Sequence, residues 1–178
     1  MFKKIIAIDL LPAEYRAKEL GMDFFPLSGF RDVVSGQSGD TDVLEILVPL
    51  VRKVPENDSP EALATVTNCF ERKRHALQMN GATVIEAPAK RSQSTESSYK
   101  QSDDQRLVIT TLSMCLRLRP DFLTLVAADG DFSPMVEELR REGIRTEVVA
   151  SAHMLASDLK KVAWNVIDLD NILENLRG

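Results

Sequence analysis

The chain is poor in the residues that build the commonest ligand sites. It has only two cysteines and two histidines among 178 residues. Cys69 and Cys115 lie far apart inside helical patterns, with no Cys-x-x-Cys pair and no zinc spacing. Two buried free thiols are expected, which suits a reducing, cytoplasmic setting. His75 and His153 show no metal-ligand spacing either. Long apolar runs are also missing. The opening stretch, residues 1–8, turns apolar after Lys3 and Lys4 and stops at Asp9. It is too short for a signal peptide or a membrane span, so no membrane partner is expected. Positive charge is not in excess: 22 Lys and Arg stand against 27 acids, a net charge of -5. Coating nucleic acid by bulk charge is excluded, while a local basic patch is not. No repeat and no linker divides the chain. With 44% hydrophobic residues, 1–178 reads as one domain with a proper core.

What is present is concentrated in Leu123-Thr124-Leu125-Val126-Ala127-Ala128-Asp129-Gly130-Asp131-Phe132-Ser133-Pro134. A short apolar run closed by acids and a glycine predicts a buried strand over 122–128. Ser133 before Pro134 reads as an N-cap and a first helical proline. Asp129 and Asp131 then occupy the turn at the carboxyl end of that strand. Paired acids there repel each other unless a cation, a proton or a basic partner compensates them. A solvated turn beside a helix N-terminus is the plainer reading of the same residues.

The rest alternates strand and helix. Residues 5–8 form a first strand ending in Asp9, followed by a short helix over 12–20. Residues 22–41, with Pro26 and several glycines, read as irregular. Residues 45–54 read as a strand whose irregularity falls at Pro49. A helix from Pro60 to about Asn80 and a strand over 83–86 follow. The Ser-rich stretch 89–102 reads as a mobile loop. A helix over 103–118 carries Leu107, Val108, Thr111, Leu112, Cys115 and Leu118 on one apolar face. Beyond 128 come a helix over 134–142, a strand over 146–150, a helix over 157–163 and a strand over 166–169. Trp164 is expected to pack the last strand onto the sheet. This rhythm means an α/β three-layer sandwich with a mainly parallel central sheet. If the strands ending in Asp9 and Asp129 are neighbours at a switch in strand order, their acids share one crevice. The Asp103-Asp104 pair opens a helix and either faces that crevice or simply favours the helix dipole.

Asp9 after a first strand, Lys100-Gln101-Ser102-Asp103 entering a helix, and Ala128-Asp129-Gly130-Asp131-Phe132-Ser133-Pro134 resemble the NYN family, a branch of the PIN-like nucleases. The resemblance implies a PIN-like, flavodoxin-like fold and cleavage of RNA phosphodiesters with Mg²⁺ or Mn²⁺. It carries Asp9, Asp103, Asp129 and Asp131 over as catalytic and metal-binding acids. The chain differs from the family pattern at Leu10-Leu11, at Thr110 and at Ala127-Ala128. A second function is therefore carried beside the first: a non-catalytic module that binds RNA or protein with a reduced acidic site. Whether the partner is a homodimer mate or another protein is left open. A phosphatase of the haloacid dehalogenase type needs a second Asp two positions after the first, where Leu11 stands.

Carboxylate-held Mg²⁺ needs only one or two direct acids, so four acids divide between direct and indirect roles. Asp9 and Asp131 are the expected direct ligands. Asp129 and Asp103 then orient water or hold a second ion. Lys100 and Arg91 are the expected phosphate guides, since an acidic site does not attract RNA unaided. Arg72-Lys73-Arg74 reads as a solvated helix face. Ser133 either caps the helix or donates to a carboxylate or phosphate.

Overall fold

In the computed structural model the described residues are 1–37, 39–57, 59–88, 90–91, 99–100 and 103–177. β1 (Phe2–Ile8) is the centre of the fold. Its last five residues are buried because it has neighbours on both sides and helices on both faces. β1 pairs in parallel with β2 (Thr41–Arg52) and, on the other side, with β6 (Phe122–Val126). β3 (Thr83–Pro88) pairs with β2, while β7 (Arg145–Ala150) and β8 (Asn165–Asp168) extend the other half. The order β3-β2-β1-β6-β7-β8 is a six-stranded parallel sheet whose connectivity reverses between β1 and β6.

Alternation along the strands sends side chains to two cores. Ile6, Ile8, Val48 and Val126 meet α1 (Leu10–Glu19), α2 (Leu27–Gln37), α3 (Pro60–Met79) and α7 (Leu169–Arg177). Ile5, Ala7, Leu47, Leu125 and Val148 meet α4 (Asp103–Leu118), α5 (Ser133–Arg141) and α6 (Ser157–Val162). The expected three-layer α/β sandwich is the observed one.

Several local expectations are corrected. Residues 27–37, expected irregular, form α2. Its apolar positions Leu27, Phe30 and Val34 are buried at helical spacing. Gly29 faces α7 closely: a Cβ there would lie 2.8 Å from a Leu176 methyl, so that side chain would have to shift. The irregularity of β2 falls near Leu44, where the register with β1 skips a residue, and not at Pro49. Pairing with β1 ends at Leu47, so at Pro49 no β1 ladder remains for the missing N–H to weaken. Cys69 is exposed, whereas Cys115 is buried and its thiol is pushed up to about 12 by that burial. Trp164 is 63% exposed, with the Arg145 guanidinium 4.8 Å from its ring centroid. Within 89–102, β4 (Lys90–Arg91) pairs antiparallel with β5 (Tyr99–Lys100). Residues 89, 92–98 and 101–102 lie outside the described residues, as does the mobility expected of them.

Candidate active site

The reversal between β1 and β6 opens a crevice at the carboxyl ends of the two strands, the place where open α/β sheets bind ligands. Asp9 follows β1 and is held against β6 by its own N–H, which donates to the Val126 carbonyl at 2.9 Å. It stands at the N-cap position of α1, yet its side chain makes no capping hydrogen bond. The carboxylate therefore does not serve its own helix. It is only 6% exposed.

The first turn of α4 brings Asp103 and Asp104 to the same place. Asp103 is buried and Asp104 is exposed. One carboxylate oxygen from each of Asp9, Asp103 and Asp104 lies within 4.8 Å of the others. Such proximity is unfavourable without a cation or proton. Burial, then Asp104, Asp103 and Asp129, push the Asp9 carboxyl up to about 7. Asp104 is likewise raised, by burial and by Asp103, Asp129 and Asp131. Arg16 shares with Asp9 the lining of a small cavity of about 30 Å³. Its guanidinium is already engaged, however, with Asp170 through two bonds of 2.8 Å and with Glu19 at 2.6 Å.

Asp129 and Asp131 sit at the outer rim, both exposed. A 3₁₀ turn, Gly130–Phe132, starts at Asp129, whose carboxylate accepts from the Asp131 N–H at 3.0 Å. The turn reading thus holds for Asp129, which nevertheless acts on Asp9 and Asp104 through space. Ser133 is not the cap. The 3₁₀ turn begins the helical path three residues earlier, so Ser133 is already inside α5. Its hydroxyl is buried without a hydrogen-bond partner among the described residues.

The structure therefore gathers Asp9 with Asp103, and sets Asp129 and Asp131 around them. It adds Asp104. The Asp103-Asp104 doublet was the available signal, but two acids in a first helical turn look the same when they only favour the dipole. The side chains of Arg91 and Lys100 lie outside the described residues; their backbones belong to the β4–β5 pair that precedes α4. In the basic stretch on α3, Arg74 pairs with Glu71 of the same helix, while Lys73 reaches Glu14 of α1 at 2.6 Å and ties the two helices together.

A parallel α/β sheet with an acid-lined crevice at its switch point is the architecture in which open α/β sheets bind ligands. Within that architecture the chain belongs to the NYN family: the NYN domain model matches residues 65–170. NYN domains are part of the PIN-like nuclease superfamily. Among solved structures, a protein of unknown function from Vibrio parahaemolyticus is similar at a TM-score of 0.69 and 20% identity, covering 96% of this chain and 94% of that one. Its likeness shows the fold. Acinetobacter baumannii MurG is matched at a TM-score of 0.48 and 10% identity, covering 94% of this chain and 41% of that one. Among curated proteins none matches. No helix among the described residues is long and apolar enough to cross a membrane.

Proposed function

We propose that the chain is a metal-dependent ribonuclease whose single NYN domain spans residues 1–178. The family match begins at residue 65, but β1 and Asp9 lie at the centre of the same sheet, which supports one unit. The observation that carries the proposal is the convergence of Asp9, Asp103 and Asp104, two of them buried, with no balancing cation among the described residues in the forces that move Asp9.

Three carboxylate oxygens at this spacing fit the all-oxygen preference of Mg²⁺ or Mn²⁺. Asp9, Asp103 and Asp104 would hold the ion, which supplies a water of lowered pKa and neutralises charge developing on the phosphate. Asp131, exposed at the rim and with no hydrogen bond from another described side chain, takes the outer role of orienting water. This arrangement shifts direct ligation from Asp131 towards Asp104. Asp129 fixes the turn that presents Asp131. Lys100 and Arg91 guide the RNA backbone towards the acids, which would otherwise repel it. Cytoplasmic RNA is the proposed substrate.

The test is paired: thermal melts with and without Mn²⁺ or Mg²⁺, and cleavage of a single-stranded RNA. Wild type is expected to gain stability with metal and to cleave. Asp131→Asn is expected to fold normally and lose cleavage. Thr110, where the family pattern has a further acid, favours the second reading, a non-catalytic RNA- or protein-binding module. A wild type that neither cleaves nor responds to metal would establish that reading instead.

A further inference from the structure

Four helices pair a basic residue with an acid one turn away. The pairs are Arg16 with Glu19 in α1, Arg74 with Glu71 in α3, Arg141 with Glu138 in α5 and Lys161 with Asp158 in α6. α4 departs from this pattern. Beyond Asp103 and Asp104 it has no acid, and its arginines, Arg106 and Arg117, form no ion pair among the described residues. We propose that the row Arg106, Thr110, Ser113 and Arg117 is a track for the phosphate backbone of single-stranded RNA, leading away from the acid cluster. The inference rests on the ribonuclease reading and names the path of the strand beside the cut.

Position is the first argument. Spacings of four, three and four residues set the row along one flank of α4, over about 16 Å from Arg106 to Arg117. The other flank, with Gln105, Val108 and Ile109, faces Asp131 and Phe132. The row thus starts one turn from Asp103 and runs clear of the outer acids. Charge is the second. Arg106, Ser113 and Arg117 are exposed and Thr110 is half-buried. All four side chains can donate hydrogen bonds and none is negative, which suits a phosphodiester chain. Thr110 stands where the family pattern has a further acid, and an acid there would interrupt the row. The helix dipole is the third. Arg117, in the last turn, suits the negative end of α4. Arg106, in the first turn, sits at the positive end and pairs with neither Asp103 nor Asp104. A cation kept where its own helix disfavours it is available to an external anion. Arg117 donates to the Met114 sulfur at 2.8 Å, a weak acceptor that a phosphate readily replaces. The basic stretch of α3 differs, since Lys73 and Arg74 already hold Glu14 and Glu71.

The experiment measures binding apart from cleavage. Labelled oligouridylates with a cleavage-resistant phosphorothioate backbone are used, one a trinucleotide and one of about sixteen nucleotides. Affinities are read by fluorescence anisotropy in Mn²⁺ over a range of KCl concentrations. For the long strand, log affinity falls linearly with log salt, and each phosphate contact adds about 0.7 to the slope. Arg106→Gln and Arg117→Gln are each expected to lower that slope by about 0.7, and the double variant by about 1.4. Their melts are expected to stay within a degree or so of wild type, as for other exposed substitutions. Arg117→Gln is expected to leave the trinucleotide unaffected, since its few phosphates end at the metal and Arg106. Arg72→Gln removes an exposed arginine from α3, on the other face of the sheet, and is expected to leave both strands unaffected. A slope indifferent to both α4 substitutions would overturn the track. So would an equal effect of Arg72→Gln, which is bulk charge, or a long strand that does not bind. A lowered slope in a protein whose wild type cleaves no ordinary RNA would leave the track standing and remove the ribonuclease reading. Cleavage with an unchanged slope would do the reverse.

Discussion

Lys4 near the start of β1 and Asp9 just past its end are both buried charged residues, and their surroundings differ in kind. The Lys4 ammonium is fully buried and donates to the Glu147 carboxylate at 2.8 Å. It also donates to the Val34 carbonyl in α2 at 2.7 Å, near the negative end of that helix. Thr124 on the intervening strand donates its hydroxyl to the same carboxylate at 3.2 Å. Three strands and a helix are tied by one satisfied network. Five residues along β1, Asp9 is instead surrounded by acids that oppose its charge. The first is a device of stability. The second costs stability, and under the proposed function a cation would offset that cost.

The largest expected effect comes from breaking the compensated site. Lys4→Ala leaves Glu147 buried without its cation and is expected to cost about 3–5 kcal/mol, read as a lower denaturation midpoint in urea. Replacing both partners by methionine is expected to cost far less than the sum of the single changes, because neither charge is then stranded. The uncompensated site is expected to respond with the opposite sign. Asp9→Asn removes a charge that its neighbours oppose, so the metal-free protein at pH 8 is expected to gain on the order of 2 kcal/mol. The same variant is expected to lose its stabilisation by Mn²⁺ and its cleavage. A metal-free Asp9→Asn less stable than wild type would erase the contrast between the two sites.

A smaller and more diagnostic effect follows from pH. The Asp9 carboxyl is near 7 when folded and 3.8 in its ordinary state, so the folded protein binds this proton more tightly than the unfolded one. The stability so contributed is fully present below about pH 4 and is lost as the pH rises through about 7. Metal-free melts are therefore expected to fall by a few degrees between pH 5 and pH 8 from this group, and Asp9→Asn to flatten that fall. Added Mn²⁺ is expected to raise the melt at pH 8 and hardly at pH 5, since the ion competes with the proton for the same oxygens.

The two sites were unequally legible in the sequence. Asp9 and Asp129 were readable because each closes an apolar run, and strand-end acids in a parallel sheet converge only if their strands are neighbours. The β1–β6 pairing supplies that condition. Asp104 was readable only as half of a doublet, because its place depends on how the chain returns after residue 91. The Lys4–Glu147 pair had no local signal, since its partners are 143 residues apart. The helix α2 was hidden by its glycines, one of which lies against Leu176 of α7. Pro49 misled because its effect on a strand depends on where the neighbouring ladder ends, which is a tertiary fact. Trp164 misled because its size suggests burial, while its position at the start of an edge strand leaves it to Arg145.

The smallest expected effect compares two hydroxyls, one from each region. Thr124 has an acceptor in Glu147, so Thr124→Val removes a buried hydrogen bond to a charged group and is expected to cost about 1–2 kcal/mol. Ser133 is equally enclosed, two residues beyond Asp131, and its hydroxyl has no partner among the described residues. Ser133→Ala therefore removes a polar group that is unsatisfied in the metal-free protein. It is expected to be neutral or to stabilise by under about 1 kcal/mol. If the hydroxyl serves the acids or the bound phosphate once metal and RNA are present, the same variant loses affinity for the phosphorothioate strand in Mn²⁺ while its metal-free melt is unchanged or raised. A purely structural hydroxyl would give the reverse, a lower melt and unchanged binding. Measuring both quantities on both variants separates a group kept for the fold from one kept for the ligand.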